Sequence, residues 1–293
     1  MHMQQSETQA QYEQLKKLAI SDNDFELIRN WIYEVAGITL TPAKKNLVSG
    51  RLGKRVQELG YSTFGDYIRP IITVRPGDTA AVQERQYAIN ALTTNETYFF
   101  REPAHFDFLR DVIVPQWQGS EARRIWSAAS SSGEEAYTAA MVLSMALSKN
   151  QWSIVGTDIN SEVVNQAGKA LYPLSRAEKI PSQYLKAYCL RGIGKMDGLF
   201  QITPKVKSRV SFKTANITQD QTSLGHFDLI MLRNVLIYFD KEAKQRVLDN
   251  LVKRLKPGGY LFIGHAESLN GLDYDLKMIK TSIYQRPAEK SGR

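Results

Sequence analysis

Three acidic residues stand where two predicted β-strands end, and their positions suggest a ligand-binding edge. Glu134 and Glu135 close the stretch "RIWSAASSSGEE", in which an apolar strand runs into small residues and then into a helix. Asp158 ends the next predicted strand, in "WSIVGTD". In doubly wound sheets, ligands bind outside the carboxyl ends of the strands, and an acid at this second position binds ribose hydroxyls. The three carboxylates therefore predict a site for a ligand that contains a ribose.

The turn before Glu134 argues against a dinucleotide. Dinucleotide enzymes carry G-x-G-x-x-G at this point, so that the backbone can approach a pyrophosphate. Here three serines precede the single glycine Gly133, and the two glutamates would repel phosphate but attract an ammonium group. S-adenosylmethionine has an adenosine, an ammonium and a sulfonium, and it has no phosphate. Glu134 or Glu135, together with Asp158, therefore predicts a site for this cofactor. Ser132 and Glu135 also have the spacing of a helix capping box, and one residue can serve both roles.

Composition and charge narrow the class of protein. The net charge of +8 and the pI near 9.4 favour an acidic partner, such as nucleic acid, an acidic protein surface or an anionic membrane. No stretch approaches the roughly 20 apolar residues that a membrane helix needs, and residues 1–20 do not resemble a signal peptide. The single cysteine, Cys189, fits a reducing compartment, and scattered histidines predict no metal site. We expect a cytoplasmic protein.

Hydrophobic periodicity predicts two domains after a polar N-terminus. Residues 1–20 are expected to be a tag remnant and a disordered or loosely helical segment. Residues 21–90 are predicted to be all helical, with a first helix that begins at Ser21 and ends at Gly37. From 91 to 293, strands alternate with helices, which predicts an α/β fold with a doubly wound, mainly parallel sheet. The predicted strands are Ile125–Ala128, Ser153–Gly156, Val210–Lys213, Phe227–Leu232 and Tyr260–Gly264.

One segment interrupts this alternation. Residues 168–209 contain loop glycines and two short alternating runs, which predict a small antiparallel β insertion in the form of a hairpin.

The predicted strand in "FDLIMLRNVLIYFD" ends in the polar residues Arg233 and Asn234. Such groups would be costly in a core unless they met a ligand or each other.

Five segments, taken in order, resemble one family. They are "LTTNETYFFREPAHFDFL", "WSAASSSGEEAYTAAM", "TDIN", "LRNVLIYFD" and "LKPGGYLFIGHAES", and they are similar to the chemotaxis-receptor glutamate O-methyltransferases, the CheR family. The resemblance extends from about residue 21 to 286. A Pro-Gly-Gly turn is common to many methyltransferases, whereas the first and fourth segments are specific. The resemblance implies a class I methyltransferase-like sheet, an N-terminal receptor-docking domain, and S-adenosylmethionine as cofactor with S-adenosylhomocysteine as product.

The same resemblance implies the roles of individual residues. One group would bind the cofactor: Asn95, Thr97 and Arg101 in the segment that covers it, Glu135 at its amino acid end, Asp158 at the ribose, Asn216 and Ile217 at the adenine, and Arg233 and Asn234 at the strand end. The reaction implied is methyl transfer to a glutamate side chain, which gives a methyl ester. Arg101 and Tyr238 are expected to orient the acceptor carboxylate. Glutamate is already ionised at pH 7, so no general base is needed; His265 would be the first candidate if one were.

The implied substrates are acidic receptor helices in the cytoplasm. A complementary surface is predicted on the helix that contains Lys44, Arg51, Lys54 and Arg55, because residues 42 to 57 include no acid. In some members of the family the insertion also binds the receptor's C-terminal tail by strand addition. We expect a monomer with no direct membrane insertion and no nucleic-acid partner.

Two other functions remain open at this stage. A nucleic-acid methyltransferase would fit the basic charge and the fold, although the aromatic and basic interleaving of a single-strand binder is lacking. A non-catalytic sensor of S-adenosylmethionine would need neither Arg101 nor Tyr238, and both are present.

Overall fold

The computed structural model describes residues 19–117, 121–147 and 152–288. The chain divides into two compact units, the first extending through Thr94 and the second beginning at Asn95. The predicted domain boundary, at residues 90 and 91, precedes this division. The predicted tag remnant and disordered segment lie almost entirely outside the described residues. Within the described ranges, no helix is both long and apolar enough to cross a membrane.

The first unit is helical. Its helices are α1 (Asp22–Ala36), α2 (Lys45–Glu58), α3 (Phe64–Ile72) and α4 (Thr79–Leu92), with a short 3₁₀ segment at Pro42–Lys44. The Ser21 hydroxyl accepts a 3.0 Å hydrogen bond from the backbone N–H of Asp24, and Gly37 ends α1 with a φ of 72°, as the sequence predicts. Ile28 and Ile32 on the apolar face are fully buried. Each such side chain stabilises the fold by roughly 1.5–3 kcal/mol.

The second unit is built on a seven-stranded sheet. Its strands are β1 (Arg123–Ala128), β2 (Trp152–Asp158), β6 (Val210–Thr214), β7 (Phe227–Leu232), β8 (Leu255–Ile263), β9 (Lys277–Lys280) and β10 (Ile283–Gln285). The strand order is β6-β2-β1-β7-β8-β10-β9. The first five strands in this order pair in parallel, β10 pairs antiparallel with β8, and β9 pairs antiparallel with β10. The sequence predicted this mainly parallel sheet.

The helices of the second unit precede β1 or lie between the later strands. They are α5 (Pro103–Phe108), α6 (Val114–Gln116), α7 (Glu134–Ala146), α8 (Ser161–Lys169), α9 (Ser182–Tyr188), α10 (Pro204–Lys207) and α11 (Lys241–Arg254). A π-helical stretch, Leu109–Ile113, joins α5 to α6, and 3₁₀ segments lie at Leu174–Lys179, Gly194–Met196, Thr222–Leu224 and Leu236–Tyr238. α7 is buried along most of its length, which explains why its sequence "AYTAAMVL" is small and apolar.

One predicted turn is instead part of a strand. The Pro-Gly-Gly sequence at 257–259 lies inside β8, which begins at Leu255. The pairing of β8 with β7 shifts register at this place, and Gly258 has a φ of 76°. Because proline lacks an N–H and this glycine leaves the extended conformation, the ladder is interrupted while the strand continues.

The predicted insertion has three strands instead of a two-stranded hairpin. β3 (Leu171–Pro173), β5 (Leu199–Ile202) and β4 (Cys189–Arg191) form an antiparallel sheet in the order β3-β5-β4. Tyr172 and Phe200 pack their rings against Phe99, with ring centroids 5.0 and 5.7 Å from that of Phe99. The insertion therefore supports the segment that begins the second unit.

Candidate active site

The carboxyl ends of β1 and β2 form one side of the site. Asp158, the last residue of β2, is 5% exposed, and burial raises the pKa of its carboxyl. Its Oδ2 accepts a 2.8 Å hydrogen bond from the N–H of Ser131, and its Oδ1 accepts one of 2.9 Å from the N–H of Asn160. A carboxylate has about four acceptor positions. Asp158 is thus fixed in place and still able to accept hydrogen bonds from the hydroxyls of a ribose.

The turn between β1 and α7 needs its single glycine. Gly133 has a φ of 94° and is the N-cap of α7. A Cβ at Gly133 would lie 2.9 Å from the Cβ of Ala167, so a larger residue would clash as well as strain the backbone. The alternative capping box is not formed, because the Ser132 hydroxyl donates to Glu134, at 2.6 Å from its Oε2. Glu135 is directed elsewhere.

The two glutamates of the first turn of α7 have different partners. Glu134 is 1% exposed, and its Oε1 lies 3.5 Å from a guanidinium nitrogen of Arg176. Glu135 accepts a 2.6 Å hydrogen bond from the Ser127 hydroxyl and pairs with Arg233 at 3.0 Å. Burial raises the pKa of both carboxyls. Two carboxylates at one helix start make this a region that favours a cationic group over a phosphate.

The segment after Thr94 is held against this turn. The carbonyl of Asn95 accepts a 2.7 Å hydrogen bond from the Ser131 hydroxyl. The carbonyl of Thr97 accepts a 2.6 Å hydrogen bond from Arg176, the same arginine that faces Glu134. The predicted residues Asn95 and Thr97 are therefore brought close to the turn between β1 and α7 and to the start of that helix.

Arg101 keeps most of its hydrogen-bonding capacity. Its guanidinium donates to the carbonyl of Glu96 at 2.9 Å and lies 5.7 Å from the ring centroid of Tyr98. A guanidinium has five N–H donors. Arg101 is half-buried, so it can present a fork of N–H groups to a carboxylate.

Arg233 is committed to the protein. Its side chain is 1% exposed and pairs with Glu135 and with Glu102, each at 3.0 Å. It also donates to the carbonyl of Arg101 and lies 5.3 Å from the ring centroid of Phe106. The sequence analysis placed Arg233 among the cofactor-binding residues, and that role stays a prediction. Its guanidinium connects β7, α7 and the segment before α5, and so it can position other groups of the site.

Glu102 is the residue that sequence reasoning missed. Its carboxylate accepts hydrogen bonds from Arg233, from the N–H of His265 at 3.1 Å and from the side chain of Asn234 at 3.2 Å. Burial would raise its pKa, but the charge of Arg233 and these hydrogen bonds lower it to about 2. Donor atoms of Glu102, His105 and His265 lie within 4.8 Å of one another. Both oxygens of Glu102 accept hydrogen bonds from the protein, whereas neither ring nitrogen of the buried His105 has a hydrogen-bond partner among the described residues.

The residues predicted to bind adenine follow the neighbouring strand, β6. The N–H of Ala215 donates to the carbonyl of Asp158 at 2.9 Å, so the predicted pair Asn216 and Ile217 follows directly beside the ribose position. The Asn216 side-chain oxygen accepts from both the N–H and the hydroxyl of Thr218, which fixes this turn. Ile217 is 7% exposed and supplies an apolar surface.

Tyr238 ends the 3₁₀ segment that follows β7. Its side chain is half-buried, and no described residue forms a hydrogen bond with its hydroxyl. Ile237 before it is 57% exposed. A half-buried hydroxyl that has no partner in the described chain can donate to a group from outside, as an acceptor carboxylate would require.

The predicted basic surface of α2 is largely engaged within the first unit. Arg51 donates to the carbonyls of Leu92 and Thr93, at 2.8 and 3.1 Å. Arg55 pairs with Glu84, with a closest approach of 2.5 Å, and donates to both of its carboxylate oxygens. Both arginines were expected to face a receptor, and both instead brace α2 against residues of α4 and the segment after it. Lys44 and Lys54 are exposed, Lys54 to 86%.

We expect His105 to make stability fall in mild acid. Burial and the charge of Arg233 lower its pKa to about 3, from 6.5. Between these pH values the His105 imidazole binds a proton in the unfolded chain but not in the folded chain. The free energy of unfolding therefore has its full value above pH 6.5 and decreases as the pH drops towards 3. At pH 5 the loss should reach about 2 kcal/mol. Urea unfolding at pH 7 and pH 5 would measure it.

His105→Phe should remove this dependence, and His226→Phe is the matched control. His226 is exposed, so its replacement should leave the loss between pH 7 and pH 5 as in the wild type. An undiminished loss in His105→Phe would mean that another group binds the proton.

The fold and the site together define a class of protein. A mainly parallel sheet with a buried acid at the end of β2, and with carboxylates instead of a glycine-rich phosphate loop, is the arrangement of an S-adenosylmethionine-dependent methyltransferase. Residues 95–285 match the family described as "CheR methyltransferase, SAM binding domain", and residues 23–93 match "CheR methyltransferase, all-alpha domain". The chain belongs to the CheR methyltransferase family.

Relatives of known name agree with this assignment. The chain is 37% identical over 279 residues to a chemotaxis protein methyltransferase of Salmonella typhimurium, with 94% of each chain covered. It is 36% identical over 264 residues to chemotaxis protein methyltransferase 2 of Pseudomonas aeruginosa, covering 89% and 92%. A solved S-adenosylmethionine-dependent methyltransferase from Methanosarcina mazei is 19% identical with a TM-score of 0.30, covering 52% and 56%. The family match and the named relatives, and not this solved structure, show that the chain is a methyltransferase that uses S-adenosylmethionine.

Proposed function

We propose that this enzyme methylates glutamate side chains of chemoreceptors in the cytoplasm, forming glutamyl methyl esters during chemotactic adaptation. One observation supports this most directly. Arg101 and Tyr238 are half-buried polar groups with spare donors, and both belong to segments that Arg233 and Glu102 connect to the cofactor edge. Donors of this kind suit an acceptor that is a carboxylate. The named relatives are chemotaxis methyltransferases.

The residues fit S-adenosylmethionine by their chemistry. Asp158 would accept hydrogen bonds from the ribose hydroxyls, and Glu135 would face the ammonium group. Asn216 and Ile217 would bind the adenine by one polar and one apolar contact. The cofactor supplies a methyl group on a positively charged sulfur. Glu134, Glu135, Asp158 and Glu102 make the surroundings acidic, which favours that charge.

The protein's part in the reaction is positioning and exclusion of water. A glutamate acceptor has a reference pKa near 4.3, so at neutral pH it is ionised before it arrives. Arg101 and the Tyr238 hydroxyl would both donate hydrogen bonds to one oxygen of the acceptor carboxylate. The other oxygen would then point towards the methyl group. No proton has to move, and the site needs no general base.

Transfer of a radiolabelled methyl group tests this function. Receptor-rich membranes, total RNA and buffer alone would each be incubated with the enzyme and labelled S-adenosylmethionine. We expect label in the receptor band, and its release as methanol in mild base, because a carboxyl ester is base-labile. Base-stable label in RNA would support a nucleic-acid methyltransferase, and cofactor binding without transfer would support a sensor.

We propose that exposed lysines of the first unit contribute to receptor docking. Lys44 and Lys54 remain accessible on and before α2, whereas Arg51 and Arg55 hold internal contacts. Reversing both lysines to glutamate should raise the KM for receptor several-fold at low salt, and added salt should reduce the difference because exposed charges are screened within a Debye length of about 10 Å at 0.1 M. Steady-state assays would measure this.

The matched control for the lysine pair is Lys205→Glu with Lys207→Glu. These lysines lie in α10 of the second unit, and Lys205 is exposed. The control gives the same change in net charge, so it separates a local surface from general electrostatic attraction. Equal KM values in the two double variants would remove the docking surface.

We also propose that the insertion binds a receptor's C-terminal tail. β4 lies at an edge of its sheet, and a groove beside it is lined by Leu171, Leu190, Arg191, Gly192, Ile193, Met196, Phe200 and Gln201. Leu190 and Ile193 are 50% and 84% exposed, which is unusual for aliphatic side chains in a folded domain. An extended peptide could pair with β4 and cover them.

A fluorescently labelled tail peptide of the cognate receptor should bind with a Kd below 1 mM, which is about −4 kcal/mol. Ile193→Glu should weaken binding about tenfold, since it places a charge among apolar contacts. Ile279→Glu is the control, because Ile279 is an exposed isoleucine of β9 in the other sheet. If both variants bind like the wild type, the groove is not the tail site.

A further inference from the structure

The carboxylate of Glu267 holds the turn that follows β7, although Glu267 itself lies in the loop after β8. Its Oε2 accepts hydrogen bonds from the N–H of Asn234 at 2.9 Å and of Gly264 at 2.6 Å. Its Oε1 accepts one from the N–H of Leu236 at 2.7 Å. Two oxygens thus satisfy three backbone donors, two of which belong to the turn between β7 and Tyr238.

This turn could not hold its shape by itself. Asn234 has a φ of 59°, a conformation that costs energy for a residue other than glycine. The 3₁₀ segment Leu236–Tyr238 has Val235 as its N-cap, and Val235 has no side chain that could accept from the first N–H. Glu267 supplies both missing interactions from another part of the chain.

The fit between the two loops is close. A Cβ on Gly264 would lie 2.5 Å from the amide nitrogen of the Asn234 side chain and 2.8 Å from Oε2 of Glu267. Glycine at this position lets the β8 end approach the turn. The contact therefore depends on Gly264 as well as on Glu267.

We propose that Glu267 is a positioning residue for methyl transfer. Through the N–H groups of Asn234 and Leu236 it sets the orientation of Tyr238 towards the acceptor and of Asn234 towards the cofactor. The proposal rests on the proposed function, because it assigns Tyr238 to the acceptor carboxylate. Glu267 touches neither substrate nor cofactor and acts only through the turn.

Glu267→Gln is the sharpest test. Glutamine keeps the shape of glutamate but replaces one acceptor oxygen by an NH₂ group, which cannot accept from a backbone N–H. We expect kcat at saturating S-adenosylmethionine to fall on the order of 10- to 100-fold, since small misplacements of reacting groups have effects of this size. The KM for receptor should stay within about twofold, because docking does not involve this turn. Glu242→Gln is the control, since Glu242 is 75% exposed and pairs only with Arg246 among the described residues.

A double-mutant cycle with Tyr238→Phe separates positioning from general destabilisation. If Glu267 acts through the Tyr238 hydroxyl, its replacement should cost little once that hydroxyl is gone. We expect kcat of the double variant to lie within about threefold of that of Tyr238→Phe alone. Losses that multiply in the double variant, or a kcat of Glu267→Gln equal to that of Glu242→Gln, would overturn the proposal.

Two further measurements test the proposal, one without an activity assay and one with a second variant. Amide hydrogen exchange of a peptide spanning residues 233–240 should be faster in Glu267→Gln than in Glu242→Gln. This holds even if the wild type transfers no methyl group to receptor, in which case the proposed function fails and the turn can still be judged. Gly264→Ala, which displaces the same carboxylate without a change of charge, should lower kcat with the same unchanged KM. Unchanged exchange, or a normal kcat in Gly264→Ala, would contradict the role of Glu267.

Discussion

Replacing Arg233 with alanine is expected to lower the free energy of unfolding by about 3–5 kcal/mol. Arg233 is almost fully buried between Glu102 and Glu135, and its removal would leave two buried carboxylates without a counter-charge. Urea unfolding at pH 7, followed by circular dichroism, would measure the loss. Arg246→Ala is the control: its ion pair with Glu242 is exposed, and its loss should change stability by no more than about 0.5 kcal/mol.

The result also decides what Arg233 is for. If Arg233→Ala unfolds like the wild type and only binds S-adenosylhomocysteine more weakly, the guanidinium serves the cofactor directly, as the sequence alone suggested. If stability falls as expected, its main role is to join β7 to α7 and to the segment before α5. In a variant with so large a loss, cofactor affinity should be measured well below the unfolding transition.

The sequence was sufficient for the parallel part of the sheet, but not for the antiparallel strands β9 and β10 or for the partners of the charged residues. Alternation of apolar strands and helices is a local pattern, and it predicted all five parallel strands, although β8 begins at Leu255 and not at Tyr260. The ion pair of Arg233 with Glu102 joins residues 131 apart in the chain. No local spacing marks such a pair. A polar strand end signals only that some partner exists.

In α2, too, local spacing indicates which residues are buried but not which partners the charged residues have. Helical spacing predicts that Val48, Leu52, Val56 and Leu59 share one face of α2; the first three are buried there, whereas Leu59 at the end of the helix is 43% exposed. It could not show that Arg51 and Arg55, beside that face, would meet the end of α4 and Glu84. A charged side chain beside an apolar stripe is close enough to the neighbouring helix to form an ion pair or a hydrogen bond with it. Only fully outward positions, such as Lys54, can be assigned to solvent or to a partner from periodicity.

The second large effect concerns Tyr238. We expect Tyr238→Phe to lower kcat on the order of 10- to 100-fold while S-adenosylmethionine affinity changes little, because its hydroxyl would orient the acceptor and not hold the cofactor. Arg101→Ala should damage both quantities, since Arg101 belongs to the segment that is fixed to the cofactor edge through Asn95 and Thr97. Steady-state kinetics with receptor membranes and calorimetry with S-adenosylhomocysteine would measure the two effects. Tyr274→Phe, at a half-buried tyrosine packed edge-on against Tyr284, is the matched control.

The pH dependence of kcat/KM tests whether the reaction needs a general base. If the acceptor arrives as a carboxylate, kcat/KM should be nearly flat from about pH 6 to 9, since the reference pKa of glutamate is near 4.3. His105 lies close to the site, but with its pKa lowered to about 3 it stays neutral throughout this range and contributes no step. A tenfold rise in kcat/KM through pH 7, with receptor and cofactor affinities constant, would require a general base. His265, which is exposed beside Glu102, would then be the residue to replace. If the rise disappears in His265→Gln, this part of the site transfers a proton and does not only orient the acceptor.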